Sequence, residues 1–124
     1  MRINGKNPVK GSVPGVDIEL DVIARVAAKS ALEVDGVLAL ENTFSDGIAA
    51  AIGRDGRTRG VRVTAEKDGC CFHIGAVVQY GFNIPDIAWH LQEKIKKTVE
   101  NIIGVRVNRV DVLVAGIREA RQPV

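Results

Sequence analysis

The chain predicts an α/β (α+β) two-layer sandwich: one mixed sheet of about four strands, with two helices on one face. Three observations carry this. Two stretches repeat apolar residues at helical spacing, over "DIELDVIARVAAKSALEVDG" and "NIPDIAWHLQEKIKKTVENIIG". Between them "VRVTAEKDGCCFHIGAVVQYG" alternates with period two around a turn signal. After the second helix "VRVNRVDVLVAGI" alternates again, completing a β-α-β unit, which crosses over right-handed in nearly all proteins. The predicted order is α-β-(long loop)-β-β-α-β.

Residues 1–15 are rich in Gly, Pro and polar residues and read as a flexible arm. Residues 16–118 form a single domain and 119–124 a tail. The first helix starts near Leu20 and stops at Gly36. Its stripe of Ile23, Val26, Ala27, Ser30, Ala31 and Val34 is alanine-rich, which allows close approach to a neighbour. "VLALE" at 37–41 reads as a short strand, and 42–60 as a long excursion with at most one helical turn. For the hairpin, Asp68-Gly69 predicts a type I′ turn. That register sets Ala65 opposite Phe72, Val63 opposite Ile74 and Val61 opposite Ala76, on the core side with Val78 and Tyr80. Arg62, Thr64, Glu66, Cys71, His73, Val77 and Gln79 take the outer side.

The second helix has Pro85 in its first turn and Gly104 at its end. Ile84, Ile87, Ala88, Leu91, Ile95, Thr98, Val99 and Ile102 lie on one arc. In the last strand Val110, Val112 and Val114 point inward, while Arg109, Asp111 and Leu113 point outward. Val105 and Val107 are out of phase with that set, so a bulge is expected near Asn108.

Composition narrows the function classes. In 124 residues, 46% are apolar and 26% charged, as in a globular domain, and the net charge of +2 favours no polyanion by itself. The N-terminus has no apolar core of a signal peptide, and no window is long and apolar enough for a membrane-spanning helix. The only cysteines are adjacent, Cys70-Cys71, so a disulfide framework is not expected and a reducing cytoplasm is. Consecutive strand residues point to opposite faces, so Cys71 and His73 make half a metal site with nothing to complete it. No phosphate-binding loop, dinucleotide fingerprint, nucleophile elbow or H-E-x-x-H occurs. Neither a cofactor nor catalysis is supported.

The stretch "GRDGRTRG" spells a G-x-x-G of the kind with which KH domains clamp nucleic acid, flanked by Arg54, Arg57, Arg59 and Arg62. In that module a helix follows and helps hold the phosphates. Here the strand from Val61 follows at once. A solvated basic loop is therefore expected, and a KH-like RNA-binding module is the alternative. Trp89 falls off the apolar arc, near Glu93 and Lys96, where a lone tryptophan is a candidate contact for a partner. Val77, Leu113, Ala115 and Ile117 make the outer sheet face apolar, which suggests that something covers it.

Taken in order, "VIARVAAKSALEVDGVLAL", "RGVRVTAEKDG" and "VVQYGFNIPDIAWHLQEKIKKTVENIIGVRVNRVDVLVAGI" resemble the alkaline shock protein, or Gls-type general-stress, family of bacteria. The resemblance runs from about Gly11 to Ile117. It implies a non-catalytic cytoplasmic protein of cell-envelope stress homeostasis that self-associates as a homo-oligomer. It also implies that a small membrane-anchoring protein holds it at the inner face of the membrane. The expected contacts are Trp89, Leu113, Val77 and Lys96, with the arginines steering. Self-association is expected to weaken on Trp89→Ala or on placing a charge at Leu113.

Overall fold

A computed structural model describes residues 9–10, 15–43 and 55–119. The chain begins with β1 (Val9–Lys10), which pairs antiparallel with β2 (Asp17–Ile18). Then come α1 (Leu20–Ala31), β3 (Val37–Leu40), β4 (Asp55–Thr58), β5 (Val61–Glu66), β6 (Gly69–Gln79), α2 (Ile84–Thr98), a π-helical turn (Val99–Ile103) and β7 (Val107–Arg118).

The main sheet has five strands, and the predicted mixed sheet with two covering helices is what forms. The additional strand is β4, which lies within the stretch read as a long loop and pairs with β5 through a tight turn at Arg59-Gly60. The 11-residue β6 is the spine. Parallel β7 runs along one side of it from Cys70 to Gln79. The other side is shared end to end, β5 covering Gly69–Ile74 and β3 covering Ala76–Val78. Gly75 marks the junction: its N–H donates to the Gly60 carbonyl and its carbonyl accepts from the Glu41 N–H, both at 2.9 Å.

The hairpin keeps neither the predicted register nor the core-side place of Tyr80, which lies past the end of β6 and is 72% exposed, but its other residues keep the predicted faces. Val61 lies opposite Ile74, Val63 opposite Phe72 and Ala65 opposite Cys70, two residues from expectation. The turn residues are Lys67-Asp68, and no non-glycine residue described has a positive φ, so the turn is not type I′. Gly69 has a different reason to be glycine. A Cβ there would collide with the Arg106 carbonyl, where β7 begins. The long-range approach of β7 therefore fixes this residue, and the shift by an even number preserves every face.

The core lies between the sheet and the helices. Phe72, Val61, Val63, Cys70, Ile74, Ala76 and Val78 face Leu20, Ile23, Ala24, Ala27 and Ala31 of α1 and Ile87, Leu91, Ile95 and Val99 of α2 and its extension. Burying a Phe or Leu side chain of this kind contributes about 1.5–3 kcal/mol. The α1 helix ends at Ala31, earlier than the apolar stripe suggests. The chain then tightens into i→i−3 bonds at Glu33 and Val34 before turning into β3. For α2, the Asn83 side chain accepts from the Asp86 N–H at 3.0 Å as N-cap, with Pro85 in the first turn.

Beyond α2, Ile102 departs from the predicted arc and is 69% exposed. The π turn, closed by the Gly104 N–H on the Val99 carbonyl at 3.2 Å, adds a residue to the last turn and swings Ile102 outward. The bulge expected near Asn108 is present: Cys70 pairs with Val107 and Cys71 with Arg109. A second, unanticipated bulge falls at Ala115, since Ala76 pairs with Val114 and Val77 with Gly116. It moves Ile117 into register with core-facing Val78, so Ile117 leaves the outer face on which strict alternation put it.

Candidate functional site

Two surfaces of opposite character emerge, one over the helices and one over the outer sheet face. On the helix side, α2 turns its apolar arc to the sheet and leaves Trp89 on the rim, 58% exposed. The indole meets the His90 ring edge-on at 5.3 Å between centroids and 72° between planes. Beside it lies an open groove of about 450 Å³ between α2 and the segment that follows α1. Glu33 and Asp35 line one bank, and Trp89, His90, Glu93, Lys94 and Lys97 the other. An ion pair of Lys94 Nζ with Glu33 Oε1 at 3.3 Å bridges the two banks. Both partners are half-exposed, so it contributes little stability.

Lys96 is not part of that groove. It faces the other shoulder of α2 and lines a smaller depression, about 170 Å³, with Gln92, Val107 and Arg109. Glu93 borders both depressions and separates Trp89 from Lys96. Leu113 stands on the outer sheet face, 53% exposed, beside a depression of about 410 Å³ that includes Arg62, His73 and Asp111. Val77 shares the outer side but is only 1% exposed, so as folded it offers no surface to a partner.

The arginine group does not form a loop. Arg54 lies outside the described residues. Arg57 sits in β4, opposite Arg62 of β5, and its backbone N–H donates to Asp21 Oδ1 at 2.9 Å. Arg59 is exposed in the turn between them. Within the G-x-x-G, Gly56 is buried against the start of α1, where a Cβ would collide with the Leu20 backbone. The solvated basic loop is thus replaced by an edge strand packed on a helix, which lacks the helix–loop–helix phosphate clamp of a KH domain.

The outer face also carries a polar ladder that single-sequence reading missed. Its members alternate visibly along each strand, but only the registers of β5 with β6 and of β6 with β7 bring them together. The Asn108 amide donates to Glu66 Oε1 at 2.9 Å, Arg109 Nε to Asp111 Oδ2 at 3.1 Å, and His73 Nδ1 lies 3.5 Å from Asp111 Oδ2. The Cys71 thiol and the Asn108 amide, both hydrogen-bonded to Glu66, hold its carboxyl below the usual value. Burial, reinforced by the positive charge of Arg62, lowers His73. Burial pushes the Cys70 thiol up to about 12, and burial with the bond to Glu66 pushes Cys71 to about 11. Both thiols stay protonated at neutral pH, so neither is a ready nucleophile. They are free and point to opposite faces. Among the described residues no three His, Cys, Asp or Glu side chains converge as a metal-binding set.

Comparison with known proteins places these surfaces in context. The model of the alkaline shock protein family, described as having a cell envelope-related function, matches residues 9–119. The chain is 32% identical over 103 residues to uncharacterized protein YqhY of Bacillus subtilis, covering 83% of this chain and 76% of that protein. It is 33% identical over 105 residues to uncharacterized protein YloU of the same organism, covering 83% and 88%. Uncharacterized protein Spy1614 of Streptococcus pyogenes is 28% identical over 105 residues, covering 83% and 87%. No solved structure matches the chain. With the helix-covered sheet formed by β3 to β7 and the match spanning residues 9–119, this chain belongs to the alkaline shock protein family of cell envelope-related function.

Proposed function

We propose that this protein is a non-catalytic cytoplasmic scaffold or adaptor of cell-envelope stress homeostasis, which self-associates and binds a membrane-anchoring protein. The observation that carries the reading is Trp89, a large aromatic side chain 58% exposed beside a groove of about 450 Å³. Burying an indole in a partner's pocket is a strong source of binding energy, and tryptophan is enriched among residues that dominate interfaces. The charged banks of the groove, Glu33 and Asp35 against Lys94 and Lys97, supply a polar rim that selects the partner's orientation. No helix among the described residues is long and apolar enough to cross a membrane. In this reading, attachment to the membrane goes through the partner.

The test compares the wild type with Trp89→Ala in cell fractions. The wild type is expected in the membrane fraction, resistant to moderate salt and released by detergent. Trp89→Ala is expected in the soluble fraction, at least about tenfold depleted from membranes, with an unchanged circular dichroism spectrum. Equal partition of the two proteins would remove the role of Trp89. A wild type that never sediments with membranes would remove the anchoring partner.

A further inference from the structure

We propose that the open half of the β7 edge is a dimerisation seam, at which a second copy of this chain adds its own β7 antiparallel about Leu113. The inference deepens the self-association just proposed and rests on it.

Among the described residues β7 pairs with β6 alone, so its far edge carries backbone donors and acceptors with no strand beside them. The hydrogen bonds fix which groups these are. The Arg106 carbonyl accepts from the Cys70 N–H at 2.9 Å, and the Arg118 carbonyl from the Tyr80 N–H at 2.7 Å, so both point to β6. N–H and C=O directions alternate along a strand, and each bulge inserts one residue. With the bulges at Asn108 and Ala115, Arg109, Asp111 and Leu113 bond toward β6. Val107, Val110, Val112 and Val114 point away from it.

Two side chains confirm this alternation and show that half the edge is protected. The Val107 N–H donates to Glu100 Oε2 at 3.0 Å, and the Val110 carbonyl accepts from Gln92 Nε2 at 3.0 Å. Both caps come from the α2 helix and its π turn, reaching over the rim of the sheet. No such cap is found among the described residues at Val112 or Val114.

The uncapped stretch is also the stretch without charge. From Val112 to Ile117 the strand reads V-L-V-A-G-I, with no Lys, Pro or inward charge, and the bulge at Ala115 confines its regular part to Val112, Leu113 and Val114. Val112 and Val114 are only partly buried, although they pack on the core, and Leu113 is 53% exposed on the other face. An uncapped apolar edge in this state is a template for another strand.

Symmetry selects the occupant. A two-fold axis through Leu113 pairs Val112 with Val114 of the second copy and Val114 with its Val112. These are the residues whose backbone groups point outward, and each pair exchanges both backbone hydrogen bonds. Leu113 then lies against itself and Asp111 against Ala115, where the bulge ends the regular ladder. No like charges meet, whereas an axis through Arg109 or Asp111 would put a charge against itself. The seam makes one sheet continuous through two copies and leaves the Trp89 grooves outside it.

Sedimentation equilibrium decides the matter, using the wild type, Leu113→Lys, Leu113→Glu and Val112→Pro. Leu113 is exposed and the Val112 N–H points away from β6, so each variant should keep its fold, as circular dichroism checks. The wild type should dimerise, and each variant should do so at least about tenfold more weakly, because like charges face each other or a ladder bond is lost. An equimolar mixture of Leu113→Lys and Leu113→Glu should recover association. If the wild type associates but all three variants associate equally well, the seam is wrong and self-association stands. If the wild type is monomeric at high concentration, both fall. Should Val112→Pro misfold, the charge-swap mixture still discriminates, since rescue requires that position 113 face its own copy.

Discussion

Cys71 looks outward by strand alternation, yet it is 2% exposed and its thiol is hydrogen-bonded to Glu66. With Cys70 it forms a pair of thiols whose ionisation the fold resists, raised from an ordinary 9.0 to about 12 and about 11. The unfolded chain releases these protons near pH 9, whereas the folded chain keeps them. The stability they contribute is therefore complete below pH 9 and is lost as pH rises through 11 to 12. Each thiol steepens the alkaline decline by at most about 1.4 kcal/mol per pH unit. Thermal melts between pH 8 and 11 should show a shallower decline for Cys71→Ala than for the wild type, checked by circular dichroism. An unchanged slope would mean that Cys71 ionises in the folded protein as freely as in the unfolded one.

Among the elements, α2 has the least regular geometry. It buries Ile87, Leu91 and Ile95, presents Trp89, and extends into a π turn that sends Glu100 back to cap β7. Gly104 ends that turn in the left-handed region at φ 79° and ψ 22°, where a side chain costs about 1–2 kcal/mol. Gly104→Ala should therefore lower stability by about that amount in denaturant titration, whereas a loss under about 0.3 kcal/mol would show that the turn relaxes freely. The sequence showed Gly104 as a helix stop and Pro85 as a helix start. It did not reveal the π turn, because i→i+5 bonding leaves no periodic mark and is settled by where β7 must begin. Ile102 was assigned to the buried arc for that reason, and the extra residue turns it outward.

For the whole molecule, the two edges of the sheet differ. At one side β4 packs against α1, with Gly56 allowing the backbone contact. At the other side β7 is capped over its first half, and among the described residues nothing caps it at Val112 or Val114. Amide hydrogen exchange reads this directly. The β6 amides, flanked on both sides, should be among the slowest. The amides of Val112 and Val114 should exchange fast at low protein concentration and slow by at least about tenfold as copies associate. Concentration-independent exchange at those two amides would speak for a monomeric edge.

The sequence by itself determined the two helices, the β5–β6 hairpin, the last strand with its bulge near Asn108, and the family. These follow from local periodicity, glycine and proline placement and motif order, which neighbours in the chain enforce without help from distant residues. Only the tertiary structure decided that β4 is a strand, that Lys67-Asp68 makes the turn, and that Ala115 bulges. It also decided that Val77 is covered and that Trp89 and Lys96 stand on separate shoulders of one helix. Each of these depends on register between segments far apart in the chain, and a shift of one or two residues costs nothing locally until the facing strand or helix is in place.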